Sequence, residues 1–474
     1  MDALLSVQFI SVPATQKTTV AFTTLPGSAS AATTFQGTEG ADSVVIIDLP
    51  NDSTNFEANG EGGDDFIAFE GSQNLSTIRG GQGNDLITQN IINDFLGNIW
   101  SAGLISGNNG DDVIGNNQLG IAAIASTING GQGDDQLYAG PIQNTLLNGN
   151  RGMDWVIVDG DYGSVNINGS FIYGGQGDDY LSVDSDGNDN INNTVIGGNL
   201  GNDYIALNID GSFAGSVVEG GDGDDGIFAG RSSTGLLIFG GDGNDYIVGA
   251  GGGGDYFGDY FGAGDDIFGE AGNDYIKGLG GNDYLVGGDG ADSLFGGYGR
   301  DTLLGGDLND ILVGGEDADI LSGGTGSNQF RYNSDDTDDG SFVNVSVGGN
   351  VYTIGVEFNN NDAVDIITDW DASAGTNVIA NNFNVFDPGV VLTSFAGGEG
   401  VFSVNFTDNQ NYAIRGSYNA DLDNFTFNSG GSDVLIGTAQ QDGPFLAGDD
   451  GYTDNLVVLT NVAFTTTFSQ ANFV

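Results

Sequence analysis

The chain has 474 residues, of which 85 are glycine and 66 are acidic, and only 8 basic residues leave a net charge of −58. This charge excludes nucleic acid as a partner, because the phosphates would be repelled. The absence of cysteine and histidine excludes disulfides, thiolate or imidazole metal sites and histidine-dependent catalysis. No run of 18 apolar residues is present, so no transmembrane segment is expected.

Residues 1–36 are predicted to form two strands, at 5–12 and 18–25, because their apolar residues alternate. We expect these strands to cap the first coil of the repeat region that follows. Pairing with a neighbouring subunit is the alternative, since an extended apolar terminus can complete the edge of another sheet. The N-terminus is acidic at Asp2 and has no basic stretch, so a cleaved signal peptide is not expected.

A nine-residue phrase then recurs, glycine-glycine-x-glycine-x-aspartate-x-apolar-x. Glycine suits a tight turn with positive φ, and the apolar residue opens a short strand that faces a core. Clean copies of the phrase lie at 80–88, 174–182, 240–248 and 287–295.

Over residues 37–248, the apolar residues that flank each aspartate turn are nine residues apart, whereas the return path takes 10 to 18 residues. This spacing predicts parallel coils with one fixed edge, which carries the turn, and one variable edge, which carries loops. The crossing from Val195 to Ile205 is one residue longer, which predicts an insertion there.

Over residues 249–331 the aspartates come every nine residues, from Asp274 to Asp319, and the series closes with Asn328. Both edges of these coils therefore carry the turn, and one coil takes 18 residues. The junction at 249–268 is irregular and holds Asp255 and Asp266 out of strict spacing, and Asp266 is taken as the metal ligand there.

Stacked coils lie about 4.8 Å apart, so the repeat aspartates would form files of like charge that oppose folding. A hard divalent cation between successive turns removes this repulsion, and Ca²⁺ prefers the carboxylate and carbonyl oxygens that the turns supply. A glycine-turn coil without metal is the alternative, but it leaves the charge unexplained. The predicted metal ligands are Asp42, Asp65, Asp85, Asp112, Asp135, Asp154, Asp179, Asp203, Asp225, Asp245, Asp266, Asp274, Asp283, Asp292, Asp301, Asp310 and Asp319.

The phrase resembles the RTX nonapeptide of secreted bacterial calcium-binding proteins, over residues 37–331 and more weakly over 430–456. The resemblance implies a parallel β-roll with several Ca²⁺ ions between its turns. The fold class expected is therefore all-β, a parallel β-roll or β-helix solenoid with calcium between the turns, followed by a C-terminal antiparallel β cap. The sequence departs from the pattern where Leu308 and Asp317 replace a turn glycine and where Asn328 replaces the aspartate.

These patterns divide the chain into N-terminal strands at 1–36, one-edged coils at 37–248, two-edged coils at 249–331 and a C-terminal β domain at 332–474. In the last of these, a hairpin is predicted at 342–358. The uncharged end at 459–474 resembles the uncleaved export signals of type I secretion, which implies an extracellular or cell-surface protein.

The leading hypothesis for function is a calcium-dependent structural protein that assembles with itself into a surface layer, sheath or filament. The sequence contains no HExxH motif and no nucleophile elbow, so it is not expected to be an enzyme. An adhesin or carbohydrate-binding protein is the second hypothesis, using the variable edge or a rib of Tyr180, Tyr204 and Tyr246 to contact a cell-surface polysaccharide. An enzyme that acts on polysaccharide with carboxylates alone is the third.

Overall fold

The fold was analysed in a computed structural model, in which the chain divides into two compact units, Met1–Ala229 and Gly230–Val474. No helix in the described part of the chain is long and apolar enough to cross a membrane. The structure describes residues 18–22, 33–46, 56–69, 73–74, 76–89, 100–116, 120–159, 166–185, 190–209, 211–230, 235–251, 263–317, 319–332, 345–348, 351–357, 365–367, 378–381, 391–392, 410–419, 424–427, 433–439 and 453–459.

The first unit is built from parallel coils whose strands form two sheets, called here sheet A and sheet B. Each strand pairs in register with the equivalent strand of the next coil, as Leu146 does with Phe171 and Leu147 with Ile172. The strands of sheet B are Thr33–Thr38, Phe56–Gly62, Thr77–Gln82, Leu104–Asn109, Thr127–Gln132, Leu146–Arg151, Phe171–Gln176, Val195–Leu200 and Val217–Asp222.

Sheet A follows each aspartate turn and extends onto the variable edge of the coil through additional short strands. The strands that follow the turns are Asp42–Ile46, Phe66–Phe69, Leu86–Gln89, Val113–Ile114, Gln136–Gln143, Trp155–Asp159, Tyr180–Ser185, Tyr204–Ile209 and Gly226–Phe228. The additional strands are Gln73–Asn74, Trp100–Ser101, Ile121–Ile124, Asn166–Asn168 and Asn190–Asn192. The variable edge is thus partly ordered into strands of its own.

The strand Thr18–Phe22 pairs in parallel with Asp42–Ile46 of the same chain. One of the two predicted N-terminal strands thus pairs with sheet A within the chain, and its role as a cap stays a prediction. The other predicted strand, at 5–12, lies outside the described residues.

The second unit repeats the two-sheet arrangement, and its coils between Asp266 and Gln329 take 18 residues, as in the pairing of Tyr284 with Thr302. Its sheet A contains Tyr246–Val248, Tyr275–Gly280, Ser293–Tyr298, Ile311–Glu316, Gln329–Tyr332 and Val378–Asn381. Its sheet B contains Leu237–Asp242, Asp266–Ala271, Tyr284–Asp289, Thr302–Asp307, Ile320–Gly324 and Asp365–Ile367. The last strand of each sheet extends the parallel coils past the repeats.

The C-terminal strands of the second unit pair mainly in antiparallel fashion. The hairpin predicted at 342–358 is formed by Val345–Gly348 and Val351–Glu357. The strand Gln410–Asn419 pairs with both Asn424–Phe427 and Asp433–Ala439, and the latter pairs with Thr453–Leu459. Val391–Leu392 is the remaining described strand there. A cap made by these strands stays a prediction.

The core lies between the two sheets, where most strands contribute one or more fully buried aliphatic residues. Ile87, Leu181 and Ile205, two residues after their aspartates, have no exposed surface. On sheet B, Ile196 is fully buried in the row to which Val195 was assigned. The predicted insertion was therefore wrong, because Ile196 and Ile205 restore the nine-residue spacing.

Candidate metal centre

A ladder of buried aspartates runs along one edge of the first unit. The main-chain N–H of each ladder aspartate donates a hydrogen bond of 2.6 to 2.8 Å to Oδ1 of the aspartate one coil further on. The members in order are Asp42, Asp65, Asp85, Asp112, Asp135, Asp154, Asp179, Asp203 and Asp225. The parallel register places these carboxylates above one another because every coil carries its turn at the same point.

The second unit has two such ladders, one on each edge of its coils, and their bonds are 2.8 to 2.9 Å long. One runs through Asp245, Asp274, Asp292, Asp310 and Asn328. The other runs through Asp265, Asp283, Asp301 and Asp319. This arrangement matches the two-edged coil that the nine-residue spacing predicts.

The Oδ2 atoms of most ladder aspartates are buried and have no hydrogen-bond donor. Burying an ionised oxygen without a partner is costly, so these atoms mark places where a cation would be stabilising. They belong to Asp65, Asp85, Asp112, Asp135, Asp154, Asp179, Asp203, Asp274, Asp283, Asp292, Asp301 and Asp310.

A glycine five residues before the aspartate forms the wall of the cradle around Oδ2, except at Asp265, where Gly249 takes this place. A methyl group on Gly174 would collide with Oδ2 of Asp179, and one on Gly305 would meet both Oδ2 of Asp310 and the carbonyl oxygen of Gly323, the latter at 2.8 Å. Carboxylate and carbonyl oxygens therefore converge on a space that only glycine leaves open. These are the ligands that Ca²⁺ prefers.

No three acidic side chains converge on one point within the described residues. A cation between turns would therefore be held by Oδ2 of one or two ladder aspartates together with main-chain carbonyl oxygens. Ca²⁺ accepts such mixed oxygen shells because it tolerates irregular geometry. The residues present thus fit calcium, whose charge would offset that of the ladder.

The raised pKa values of the ladder aspartates also indicate that a cation would stabilise the ladder. Burial raises the pKa of Asp179 to about 8, with the neighbouring Asp154 and Asp203 adding to the rise and the N–H of Asp154 opposing it. Burial and the charge of Asp319 raise the pKa of Asp301 to about 9. Without a cation, these buried carboxyl groups therefore favour the protonated form. A bound divalent ion would instead favour the ionised form.

The first aspartate of two ladders differs from the rest. Oδ2 of Asp42 accepts the N–H of Thr38 at 2.7 Å and its hydroxyl at 3.1 Å. Oδ2 of Asp265 accepts the N–H of Ala250 at 2.7 Å, while its Oδ1 accepts that of Leu236 at 2.8 Å. Protein donors therefore occupy both oxygens of Asp265, whereas in Asp42 they occupy Oδ2 and leave Oδ1 buried without a donor.

Of the predicted ligands, only Asp266 lies outside a ladder. Asp265 is fully buried in the ladder position, whereas Asp266 is exposed at the start of a strand of sheet B. The glycine spacing favoured Asp266, but the register is set by the buried Ile267, which lies two residues after Asp265. The two-residue spacing between the aspartate and the buried apolar residue therefore identifies Asp265, rather than Asp266, as the ladder residue.

Tandem acids at the turns face two different environments. Asp178 is exposed and its Oδ1 accepts the N–H of Asn202 at 2.8 Å, whereas the adjacent Asp179 is buried in the ladder. Asp134 and Asp135 divide in the same way, with Asp134 accepting the N–H of Met153. The two acids of such a pair therefore do not face one common site.

A row of serine and threonine residues, which the sequence reasoning missed, lines the other edge of the first unit. Its members lie two residues before the buried aliphatic residue of six sheet B strands, which is the signal that could have identified them, whereas Gly103 holds this place before Ile105. They are Ser76, Ser126, Thr145, Ser170, Thr194 and Ser216, and each is at most 5% exposed.

Comparison with known protein families gives four matches to the RTX calcium-binding nonapeptide repeat, at residues 70–88, 125–141, 261–294 and 295–330. The matches include Asp85, Asp135, Asp274 and Asp310, which all lie in the ladders. A comparison with curated proteins found no match. Proteins with these repeats are typically secreted. The chain therefore contains RTX calcium-binding nonapeptide repeats, which bind several Ca²⁺ ions, and the buried oxygens and glycine cradles are consistent with such sites.

Proposed function

We propose that the protein is a secreted structural protein that assembles with copies of itself into a surface layer, sheath or filament when calcium is bound. The observation that carries the proposal is a set of large apolar side chains of the first unit that are exposed, two of them beside Asp154 and one at the start of a sheet B strand. Met153 is 54% exposed, Trp155 48% and Phe171 46%. Exposed apolar clusters on a soluble protein commonly mark a contact surface.

The positions of these exposed side chains support contacts between copies of the chain. Trp155 and Tyr204 project from the outer face of sheet A, and Phe171 projects from the outer face of sheet B. Because successive coils repeat the same register, such residues form columns at the coil spacing rather than isolated spots. Repeated columns suit a partner that carries the same repeat, which is what a second copy offers.

Calcium links folding to assembly in this proposal. Without cations the carboxylates within a ladder would repel one another, and the coils would not present their columns in register. With calcium bound the coils become a regular surface, and folding is coupled to metal binding. Assembly therefore requires calcium even though the contact surface itself is largely apolar.

Electron microscopy of the purified chain with millimolar Ca²⁺ and with excess chelator tests the proposal. We expect ordered sheets or fibres with calcium and their dissolution on chelation. A double substitution, Met153→Ser with Trp155→Ser, should abolish assembly while leaving the circular dichroism spectrum unchanged. Gln136→Ser is the matched control, since Gln136 pairs with Trp155 in the same column and is polar. An ordered polymer that persists after complete calcium removal, or assembly unaffected by the double substitution, would refute the proposal.

Carbohydrate binding is the second candidate, and the exposure of Trp155 and Tyr204 favours it, since aromatic side chains can stack on sugars. The rings of Tyr180 and Tyr204 are parallel within 4° with centroids 5.3 Å apart, so much of each ring face contacts its neighbour. A sugar would reach mainly ring edges along this row. Binding of monomers to a glycan array at millimolar Ca²⁺, lost on Trp155→Ser, would favour this candidate over self-assembly.

A further inference from the structure

We infer that the serine and threonine row on the second edge of the first unit is a metal-free counterpart of an aspartate ladder. Calcium is then confined to one edge of the coils in the first unit and occupies both edges in the second. The two units consequently differ in how strongly their folding depends on calcium. The inference uses the calcium ladders and is independent of self-assembly.

The hydroxyl row and the second-edge aspartates occupy the same place in the coil. The N–H of Leu146 donates to the carbonyl oxygen of Ser126 at 2.9 Å, just as the N–H of Tyr284 donates to that of Asp265 at 2.7 Å. In both rows the next residue but one is the buried aliphatic residue of sheet B. The two rows are therefore equivalent in register, although their side chains differ in charge.

The hydroxyl oxygens also accept the same hydrogen bond as Oδ1 does in a ladder. Thr145 donates its N–H to Oγ of Ser170 at 3.2 Å, and Thr194 donates its N–H to Oγ of Ser216 at 3.0 Å. The corresponding bond from Asp283 to Oδ1 of Asp301 is 2.8 Å long. The hydroxyls thus connect one coil to the next without a carboxylate.

What the hydroxyl row lacks is a second oxygen for a cation. The hydroxyl of Thr145 has two acceptors within reach of its single proton, the carbonyl oxygens of Ala123 at 3.1 Å and Gln143 at 3.0 Å. That of Ser126 likewise has the carbonyl oxygens of Ile124 at 2.8 Å and Trp100 at 3.2 Å. Carbonyl oxygens near this edge therefore already have a donor, and no buried negative charge remains to attract calcium.

This difference sets the number of carboxylates that need calcium in each unit. A coil of the first unit buries one ladder carboxylate, whereas an 18-residue coil of the second unit buries two. Removal of calcium leaves one file of buried negative charge in the first unit and two in the second. The second unit should therefore lose its structure at a higher concentration of free calcium.

Two measurements on the full chain test the inference. In hydrogen–deuterium exchange at decreasing free Ca²⁺, we expect residues 263–332 to lose protection before residues 120–220. In counting of bound calcium by native mass spectrometry, Ser170→Ala should retain every ion of the parent chain, with Ser170→Thr as the conservative control. Asp154→Asn, in the ladder of the same unit, should lose at least one ion.

The inference is overturned if Ser170→Ala loses an ion, or if Asp154→Asn and Ser170→Ala change the calcium count equally. It is also overturned if both segments lose protection together or if residues 120–220 lose it first. The exchange experiment uses the unmodified protein, so it tests whether the two units differ in their dependence on calcium even if Ser170→Ala does not fold.

Discussion

The main-chain N–H of Asp154 lies 2.7 Å from Oδ1 of Asp179, and this bond determines which oxygen of Asp179 remains for a cation. Oδ1 connects one coil to the next, while Oδ2 faces the cradle next to Gly174 without a hydrogen-bond donor. The two oxygens of Asp179 therefore have different roles, one as a hydrogen-bond acceptor between coils and the other as a ligand for a cation. An asparagine in its place would keep the hydrogen bond between coils and lose the charged ligand.

The substitution Asp179→Asn is therefore expected to weaken calcium binding without breaking the coil. Asn328 already does this in the chain, since its Oδ1 accepts the N–H of Asp310 at 2.9 Å. We expect affinity at the adjoining calcium site to fall about 10-fold or more, the usual scale for disturbing a metal site. Isothermal titration calorimetry measures the change. Asp178→Asn, an exposed neighbour with the same change of charge, should have little effect, and equal effects of the two variants would contradict the prediction.

A second prediction concerns the glycine that walls the cradle. In Gly174→Ala the new methyl group would occupy the space of Oδ2 of Asp179, so the carboxylate or the coil must shift. We expect a loss of about 1–3 kcal/mol in the free energy of unfolding with calcium present, as for overpacking elsewhere. Chemical denaturation at saturating Ca²⁺ measures it. Gly226→Ala is the control, because the atom nearest to its new methyl group would be Cε2 of Phe228 at 3.3 Å, so this substitution should cost much less.

Much of the fold could be predicted because one phrase carries both turn and core information. The glycines fix where the chain turns, and the apolar residue two positions after each aspartate fixes which side faces inward. At Asp265 and Asp266 these two signals conflict, and burial of Ile267 outweighs glycine spacing because a one-residue shift would expose the aliphatic side chain. The same physical rule selects Ile196 over Val195.

The hydroxyl row was harder to predict because serine and threonine occur throughout the chain and carry no charge. Thr145 and Ser170 stand out only after the register of sheet B is known, when both prove to be fully buried at the same position of successive coils. Aspartate at a repeated position is easier to recognise, because a buried carboxylate needs a hydrogen-bond donor or a cation as its partner. Sequence reasoning therefore identifies ionic ladders more readily than neutral ones.

A third prediction follows from a turn that lacks its glycine. Leu308 has φ = 76° and is 58% exposed, so it adopts a left-handed conformation that favours glycine. We expect Leu308→Gly to raise the free energy of unfolding by about 1–2 kcal/mol, the cost of this conformation for other residues. Thermal denaturation at saturating Ca²⁺ measures it. Ile320→Gly, at an exposed strand position, should instead lower stability, and a gain in both variants would show that removal of exposed apolar surface is responsible.

A fourth prediction concerns the effect of pH on the calcium-free chain. Burial raises the pKa of Asp135 to about 8 and, with the charge of Asp319, that of Asp301 to about 9, against about 3.9 in an unfolded chain. A raised pKa in the folded state means that protonation favours folding. Stability from these groups should be fully present below about pH 4 and lost as the pH rises through about 8 to 9.

With chelator present, we therefore expect resistance to proteolysis to increase as the pH falls from 9 to 5, which limited digestion with an acid-tolerant protease can follow. With calcium present the trend should reverse, because protons compete with Ca²⁺ for the same carboxylates. Asp301→Asn removes one titrating group and should flatten the pH dependence without calcium, whereas Asp178→Asn, at an exposed turn, should not. A calcium-free chain that is more protease-resistant at pH 9 than at pH 5 would contradict the assignment of these raised pKa values.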